Sequence, residues 1–220
     1  MRMTKALALA AFLIAAAPVA RAEICAYLGA TENFNQIDYC VSSMLTSQGS
    51  STYGPDNLFD FSDASAWCEG VRGPGIGELV SLRIDNGGPF RRFLIENGYG
   101  KSSDTFTRNA RPRTIEIRTN TGVRFRHVLE DTSFEQMVFL PRPDTYETLQ
   151  IRVIDAYPGT LYQDLCISTI LVDFDYEKYL EYKEDTVPSA AAPPTVDHNS
   201  SPDPTLPAPA IEDLPALPSL

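Results

Sequence analysis

The amino-acid sequence predicts an all-β protein, an antiparallel β-sandwich with a short helix at the end of the folded region. Three observations predict it. Residues 79–85, 93–96, 114–119, 123–129, 134–140, 149–154 and 167–174 are short runs rich in Val, Ile, Leu, Phe and Thr, the residues that suit a pleated, half-buried surface. Several runs alternate apolar and polar residues at every step, as in Thr114-Ile115-Glu116-Ile117-Arg118 and Val123-Arg124-Phe125-Arg126, the period of a strand with one face on a core. No strand-helix-strand rhythm and no internal repeat is visible, so seven or eight short strands point to two packed sheets.

In chain order, residues 1–22 read as a cleavable signal peptide. Arg2 and Lys5 precede an apolar run over 6–20, and Ala20-Arg21-Ala22 is a small-x-small site before Glu23. That run of about 15 residues falls short of the roughly 20 that a spanning helix needs, so the mature chain is expected to be secreted or periplasmic, with no membrane insertion. Residues 23–49 are expected to be a separate N-terminal segment holding a disulfide, and 50–185 the main folded domain. Within it, Asn120-Thr121-Gly122 is a tight-turn signal between two alternating runs, so those runs should form a hairpin. Tyr176, Tyr179, Leu180 and Lys183 lie at helical spacing and predict a short amphipathic helix. From 186 to 220 the chain carries nine of its 17 prolines, four acidic residues, no Lys or Arg and no aromatic residue, the composition of a disordered Pro-rich tail.

Composition narrows the chemistry. The 220 residues carry a formal charge of −11, about −14 after loss of the three basic residues in 1–22, so no nucleic-acid partner is expected. The only histidines, His127 and His198, leave little room for a His-rich metal site or a Ser-His-Asp triad. Cys25, Cys40, Cys68 and Cys166 form an even count in an exported chain and allow three pairings. Cys25–Cys40 with Cys68–Cys166 is favoured: the first closes a short N-terminal loop, and the second ties an early segment to a late one and removes much more denatured-state entropy than the first.

Three loop segments hold the candidate chemistry. Asn57-Leu58-Phe59-Asp60 leads through Asp63 and Ser65 to Trp67-Cys68-Glu69-Gly70. Asp60, Asp63 and Ser65 are candidate ligands for a hard cation such as Ca²⁺, and equally suit a turn closed by side-chain bonds to backbone amides. Trp67 reads either as a stacking platform for a sugar ring or as a core residue beside a disulfide. Gly70, Gly73, Gly75 and Gly77 lack the GK[ST] or GxGxxG spacing of a phosphate-cradling loop. The second segment holds Asn97, Tyr99, Lys101, Asn109 and Arg111. Ten of the 15 basic residues after position 22 fall within 83–126, against four acidic ones there. Such a basic middle in an acidic chain suits an anionic or polyhydroxylated ligand, or else consists of solvated outward positions. The third segment runs from Tyr157-Pro158-Gly159 to Asp164-Leu165-Cys166.

The order Asn57-Leu58-Phe59-Asp60, Ala66-Trp67-Cys68-Glu69-Gly70, Gly75-Ile76-Gly77-Glu78, Asn97-Gly98-Tyr99, Asn109-x-Arg111-Pro112, Tyr157-Pro158-Gly159 and Asp164-x-Cys166-Ile167-Ser168 resembles the NADase-type glycan-binding domain over residues 50–174. The resemblance implies a discoidin-like, galactose-binding-domain-like jelly roll. Such a domain binds carbohydrate at loops on one end, has no catalytic role of its own, and occurs beside a bacterial NAD glycohydrolase. It also places any structural Ca²⁺ at Asp60, Asp63 and Ser65, although Thr169 stands where relatives carry a late acidic ligand. No other cofactor is expected.

The leading expectation is an exported, non-catalytic carbohydrate-binding module. Tyr99, Arg111 and Tyr157 would contact the glycan, supported by Asn97, Lys101 and Asn109. The alternative is an adaptor binding another envelope or secreted protein through the same loops and the tail. A third reading, a glycosidase acting through Asp60, Glu69 and Asp164, needs a fixed carboxylate separation that the sequence does not supply.

Overall fold

The computed structural model describes residues 23–186. The expected signal peptide (1–22) and positions 187–220 of the expected tail lie outside the described residues. The chain divides after Tyr182 into two units, and the β-sandwich belongs to the first.

The sandwich has ten strands among the described residues. They are β1 (Ile24–Leu28), β2 (Gln36–Val41), β3 (Trp67–Cys68), β4 (Leu79–Asp85), β5 (Phe90–Asn97), β6 (Arg111–Thr119), β7 (Arg124–Val128), β8 (Glu135–Asp144), β9 (Thr148–Tyr157) and β10 (Cys166–Val172). One sheet has the order β1-β2-β4-β9-β6-β7 and the other β3-β10-β5-β8. Every pairing between these strands is antiparallel, as the alternating sequence predicts. The seven expected runs correspond to β4 through β10. Arg118 pairs with Arg124 across the turn at 120–122, closing the expected hairpin.

The N-terminal expectation needs correction. Residues 23–49 are not a separate segment: β2 lies between β1 and β4 and turns Ile37, Tyr39 and Val41 into the common core. Their burial is what makes β2 integral. The Tyr39 hydroxyl donates to the Ile170 carbonyl at 3.0 Å, joining the two sheets, and burial raises its pKa. Strand β1 has mostly exposed residues and so lacks the alternation that marks the other edges.

The core is built from both inner faces. Leu82, Ile115, Ile117 and Ile151 of the larger sheet belong to one buried cluster with Phe93, Ile95, Val138 and Ile170 of the smaller. Trp67 joins it at 0% exposure and donates its indole N–H to the Ser43 carbonyl at 2.9 Å. It is therefore a core residue and not a stacking platform. The indole nitrogen is satisfied inside, which removes the usual cost of burying it.

A 3-10 turn over Pro55–Leu58 and two α-helices complete the described residues. Helix α1 (Ser103–Arg108) was not expected. Its Ser102 and Thr105 form a reciprocal capping box, and six residues are too few to show a helical period. Helix α2 (Asp175–Thr186) falls where the periodicity predicts it. Asp173 Oδ1 accepts the backbone N–H groups of Asp175 and Tyr176, at 3.1 and 3.0 Å, and so starts the helix.

The basic middle is largely spent on ion pairs. Arg118 and Arg124 hold the buried Glu116 carboxylate on the outer face of β6, and their hydrogen bonds lower its pKa. Arg92 pairs with Asp173, Arg113 with Asp155 and Arg111 with Asp131.

The favoured disulfides both form, Cys25–Cys40 and Cys68–Cys166, separated by 15 and 98 residues. Loop-closure entropy values the short link at about 3 kcal/mol and the long one at about 4.7 kcal/mol. Removing Cys68 and Cys166 together should therefore lower unfolding free energy by ~1–2 kcal/mol more than removing Cys25 and Cys40. Chemical denaturation of the two double-serine variants checks the order, and a reversed order contradicts the entropic account.

Candidate functional site

The three loop segments meet at one rim of the sandwich. Cys68 lies directly opposite Cys166 where β3 pairs with β10, so the disulfide joins the first segment to the third. Glu69 donates its backbone N–H to the Leu165 carbonyl at 3.0 Å. Ala110 forms a bridge with Leu165 and Gly98 with Ile167, which brings the second segment against the third. Tyr99 closes the triangle: its hydroxyl donates to the Ala64 carbonyl at 3.2 Å.

Two glycines permit this convergence. Gly98 has φ of +75°, and a Cβ there would meet the Phe106 ring at 2.7 Å. At Gly159 a Cβ would lie 2.2 Å from the Tyr162 carbonyl oxygen and 2.4 Å from that of Arg108. Any side chain at 159 would separate the second and third segments.

Between the segments lies a hollow of about 260 Å³, lined by Gln48, Tyr53, Tyr99, Arg108, Asn109, Tyr162 and Asp164, with Cys68 and Leu45 also in its wall. Tyr53 and Tyr99 meet edge to face at 6.4 Å. Tyr162 is 46% exposed and presents the most open ring. The Asp164 side chain receives no hydrogen bond from the described residues, and its backbone carbonyl is held by the Ala110 N–H at 3.1 Å. A fixed backbone with an uncommitted carboxylate is an acceptor ready for a ligand's hydroxyl or amide protons. Arg108, paired with Asp104 across one helical turn at 3.1 Å, stays about half exposed.

The expected contact residues divide. Tyr99 and Asn109 line the hollow, although Tyr99 is only 8% exposed and its hydroxyl is already used. Asn109 Nδ2 donates to the Thr105 carbonyl at 2.8 Å, leaving Oδ1 toward its surroundings. Asn97 and Arg111 require correction. Asn97 is 0% exposed and donates to the carbonyls of Pro112 and Glu130, so it braces the strands beneath the rim. Arg111 is 7% exposed. It grips both Asp131 carboxylate oxygens, at 2.5 and 2.7 Å, and donates to the carbonyls of Phe106 and Asn109. Its guanidinium lies over the rings of Phe106 and Tyr157 at 4.5 and 5.7 Å. With its fork closed on Asp131 and its other terminal nitrogen on backbone carbonyls, Arg111 serves the frame beneath the rim. Tyr157 donates its hydroxyl to the Leu129 carbonyl at 2.9 Å and stacks on Arg111, which makes it part of the same brace. Lys101 is exposed in the turn before α1 and does not line the hollow.

Tyr53, Tyr162, Gln48 and Arg108 were missed. Tyr162 stands five positions after Tyr157, and its exposure depends on the turn at Gly159. Gln48 lies at the end of the expected N-terminal segment and Tyr53 at the start of the expected main domain, where no strand pattern indicated a place at the rim.

The cation loop is closed on itself. Asp60 Oδ1 accepts the Ser62 N–H at 3.0 Å, and Asp60 Oδ2 accepts the Ser65 hydroxyl at 2.5 Å. Asp63 joins no cluster of three acidic, Cys or His ligand atoms among the described residues, and Thr169 donates to Glu96 at 2.6 Å. In this structure the Asp60 and Ser65 side chains are committed to a hydrogen-bonded turn. Of the three acids considered for hydrolysis, only Asp164 opens on the hollow. Glu69 is fully buried, where it accepts the N–H groups of Val71 and Leu165 at 2.6 and 3.2 Å. Desolvation raises its pKa, and the two backbone bonds oppose that rise.

A family model described as the NAD glycohydrolase translocation F5/8 type C domain matches residues 30–173. Among solved structures, a family 32 carbohydrate-binding module of NanJ from Clostridium perfringens, in complex with galactose, is 16% identical. It covers 62% of this chain and 92% of its own length, at a TM-score of 0.47. The family 32 module of EndoD from Streptococcus pneumoniae is 12% identical and covers 61% of this chain and 94% of its own length, at a TM-score of 0.45. Comparison with curated proteins gives no match.

The raised Glu69 pKa has a definite sign. The folded state binds this proton more tightly than the unfolded chain does, so the contribution is full below the ordinary value near 4.5 and is lost as pH rises through the folded value. The stability of the native protein relative to Glu69→Gln should therefore be greatest in acid and shrink toward neutral pH. Urea denaturation of both proteins from pH 3.5 to 8 measures it. A relative stability that grows with pH would overturn the assignment.

Proposed function

The chain belongs to the NAD glycohydrolase translocation F5/8 type C domain family, and from that premise we propose that it is an exported, non-catalytic carbohydrate-recognition domain. Its ligand sits in the hollow among Tyr53, Tyr162, Asn109 and Asp164. The observation that carries this reading is the Asp164 carboxylate. It has no hydrogen bond from the described residues, its backbone is fixed by Ala110, and it shares a hollow of about 260 Å³ with tyrosine rings.

A pyranose offers an apolar face of C–H groups and a ring of hydroxyls. The open ring of Tyr162 suits the first, since an aromatic face stacks on it and sheds water from both surfaces. Asp164 suits the second, because an ionised carboxylate accepts two hydroxyl protons at once and fixes their relative orientation. Asn109 Oδ1 and Gln48 add amide groups at the edge, and Arg108 adds a cationic donor. The volume accommodates about one or two sugar rings, below the usual range for drug-sized pockets of roughly 300–1,000 Å³. Recognition is therefore of a terminal residue or a short epitope.

The hydrogen-bonded brace of Asn97, Arg111, Asp131 and Tyr157 supports the reading from below. It holds the loops before any ligand arrives, and a site ordered in advance loses less entropy on binding. The two disulfides agree with export to an oxidising compartment, and no helix among the described residues is long and apolar enough to cross a membrane.

Glycan-array screening of the purified protein, followed by calorimetric titration of the best oligosaccharide, tests the proposal. Asp164→Ala should weaken binding by about tenfold to a hundredfold, the cost of a charged hydrogen-bonding group. Tyr162→Ala should weaken it by roughly threefold to tenfold. Tyr27→Ser, on the exposed edge strand β1, should leave the affinity unchanged. Silence across neutral and acidic glycans, or an affinity indifferent to Asp164, would sink the reading.

A further inference from the structure

The two disulfides stand in opposite chemical settings. Cys68 and Cys166 are at most 1% exposed and pack with Ala66 and Tyr99 in a buried cluster covered by Leu45 and Tyr53. Cys25 is exposed. It lies on β1, the edge strand of the six-stranded sheet, directly across from Cys40 on β2. Cys40 is fully buried. Within one bond, therefore, one sulfur belongs to a solvent-facing residue and the other to an interior one.

The charges around this bond are also asymmetric. Arg83, on β4, brings Nη1 to 3.1 Å from Cys40 Sγ and to 4.0 Å from Cys25 Sγ. Its other terminal nitrogen pairs with the Glu23 carboxylate, and Glu23, Cys25 and Cys40 place their ligand atoms within 4.8 Å of one another. An arginine beside a sulfur stabilises the thiolate and makes that sulfur the better leaving group. A carboxylate beside the same bond opposes the approach of an anionic thiolate.

We propose that Cys25–Cys40 is a thiol-exchange site. A thiolate from solvent attacks Cys25 Sγ, and its lone pair becomes the new sulfur–sulfur bond. The electron pair of the old bond departs on Cys40 Sγ, which is released as a thiolate beside Arg83. The proton of the incoming thiol has already gone to solvent, so none moves in this step. A second thiolate attacking the incoming sulfur then frees Cys25 as a thiolate and releases the two external thiols as a disulfide. The co-reactant is a thiol, either a small molecule or an exposed cysteine of another protein. In the second case the product is a covalent link between this chain and its partner. Cys68–Cys166 is closed to the same attack by burial, so exchange at β1 leaves the rim and its hollow cross-linked.

The test uses the purified oxidised protein with reduced glutathione as one thiol source and a single-cysteine carrier protein as the other. Samples are quenched at intervals with iodoacetamide and mapped by peptide mass spectrometry. The expected product carries glutathione on Cys25 and an alkyl group on Cys40, with Cys68 and Cys166 still joined. Capture of the carrier at Cys25 extends the site to protein thiols, and capture of glutathione alone restricts it to small ones. Arg83→Gln should slow the exchange by about tenfold through the loss of thiolate stabilisation, while Arg83→Lys retains most of the rate. Glu23→Gln should accelerate it. These opposite signs separate a chemical role from a structural one, since loosening the Arg83–Glu23 pair from either side would otherwise change the rate in the same direction. Glutathione found on Cys40, equal opening of both disulfides, or a rate unchanged by Arg83→Gln would each overturn the proposal.

Discussion

The pairing of β3 with β10, locked by Cys68–Cys166, is the constraint on which the rest of the rim depends. Strand β3 has two residues, too few to hold a sheet edge by backbone bonds alone. The disulfide supplies what the short ladder lacks, joining positions 98 residues apart. Once Cys68 faces Cys166, Glu69 is carried under Leu165 and Asp164 is carried to the hollow. Tyr99 then covers the buried sulfurs and meets the first loop at Ala64. The hollow thus follows from one covalent link and the chain that it obliges to pass nearby.

A second layer of control is polar. Asn97, Arg111, Asp131 and Tyr157 form a connected set beneath the rim, with carbonyls of Phe106, Asn109, Pro112 and Leu129 as acceptors. Burying an arginine costs heavily unless its charge and its N–H groups are all met. Arg111 is held by a two-pronged carboxylate and backbone oxygens, and two aromatic rings flank its guanidinium. Side-chain types that recognise sugars therefore serve here to hold loops. The proposed recognition residues, Asp164, Tyr162 and Tyr53, lie further out on the frame that those residues brace.

Acidity and basicity are distributed in the same economical way. The basic stretch between 83 and 126 meets carboxylates from distant parts of the chain, such as Asp131, Asp155 and Asp173. Exposed pairs of this kind add little stability each, yet they neutralise a local excess that would otherwise attract any anion. Arg83 differs because its neighbour is sulfur as well as carboxylate, the setting on which the proposed thiol exchange rests.

Local pattern alone accounts for the sandwich, the hairpin at 120–122 and the helix after β10. Each rests on a local period or turn residue that persists whatever the rest of the chain does. The even cysteine count in an exported chain pointed to two disulfides, and the favoured pairing is the one that the structure contains. The motif order also identified the three segments that meet at the rim. Which members of those segments face solvent depends instead on the packed fold. Arg111 and Asn97 look like ligand contacts in one dimension, and they are buried because partners 15 to 33 residues away close over them. Tyr162 carries no sequence signal and Asp164 enters only as a motif residue and a candidate acid, and both stand beside the turn where Gly159 lets two backbones touch. Burial depends on neighbours distant along the chain, and no local pattern encodes them.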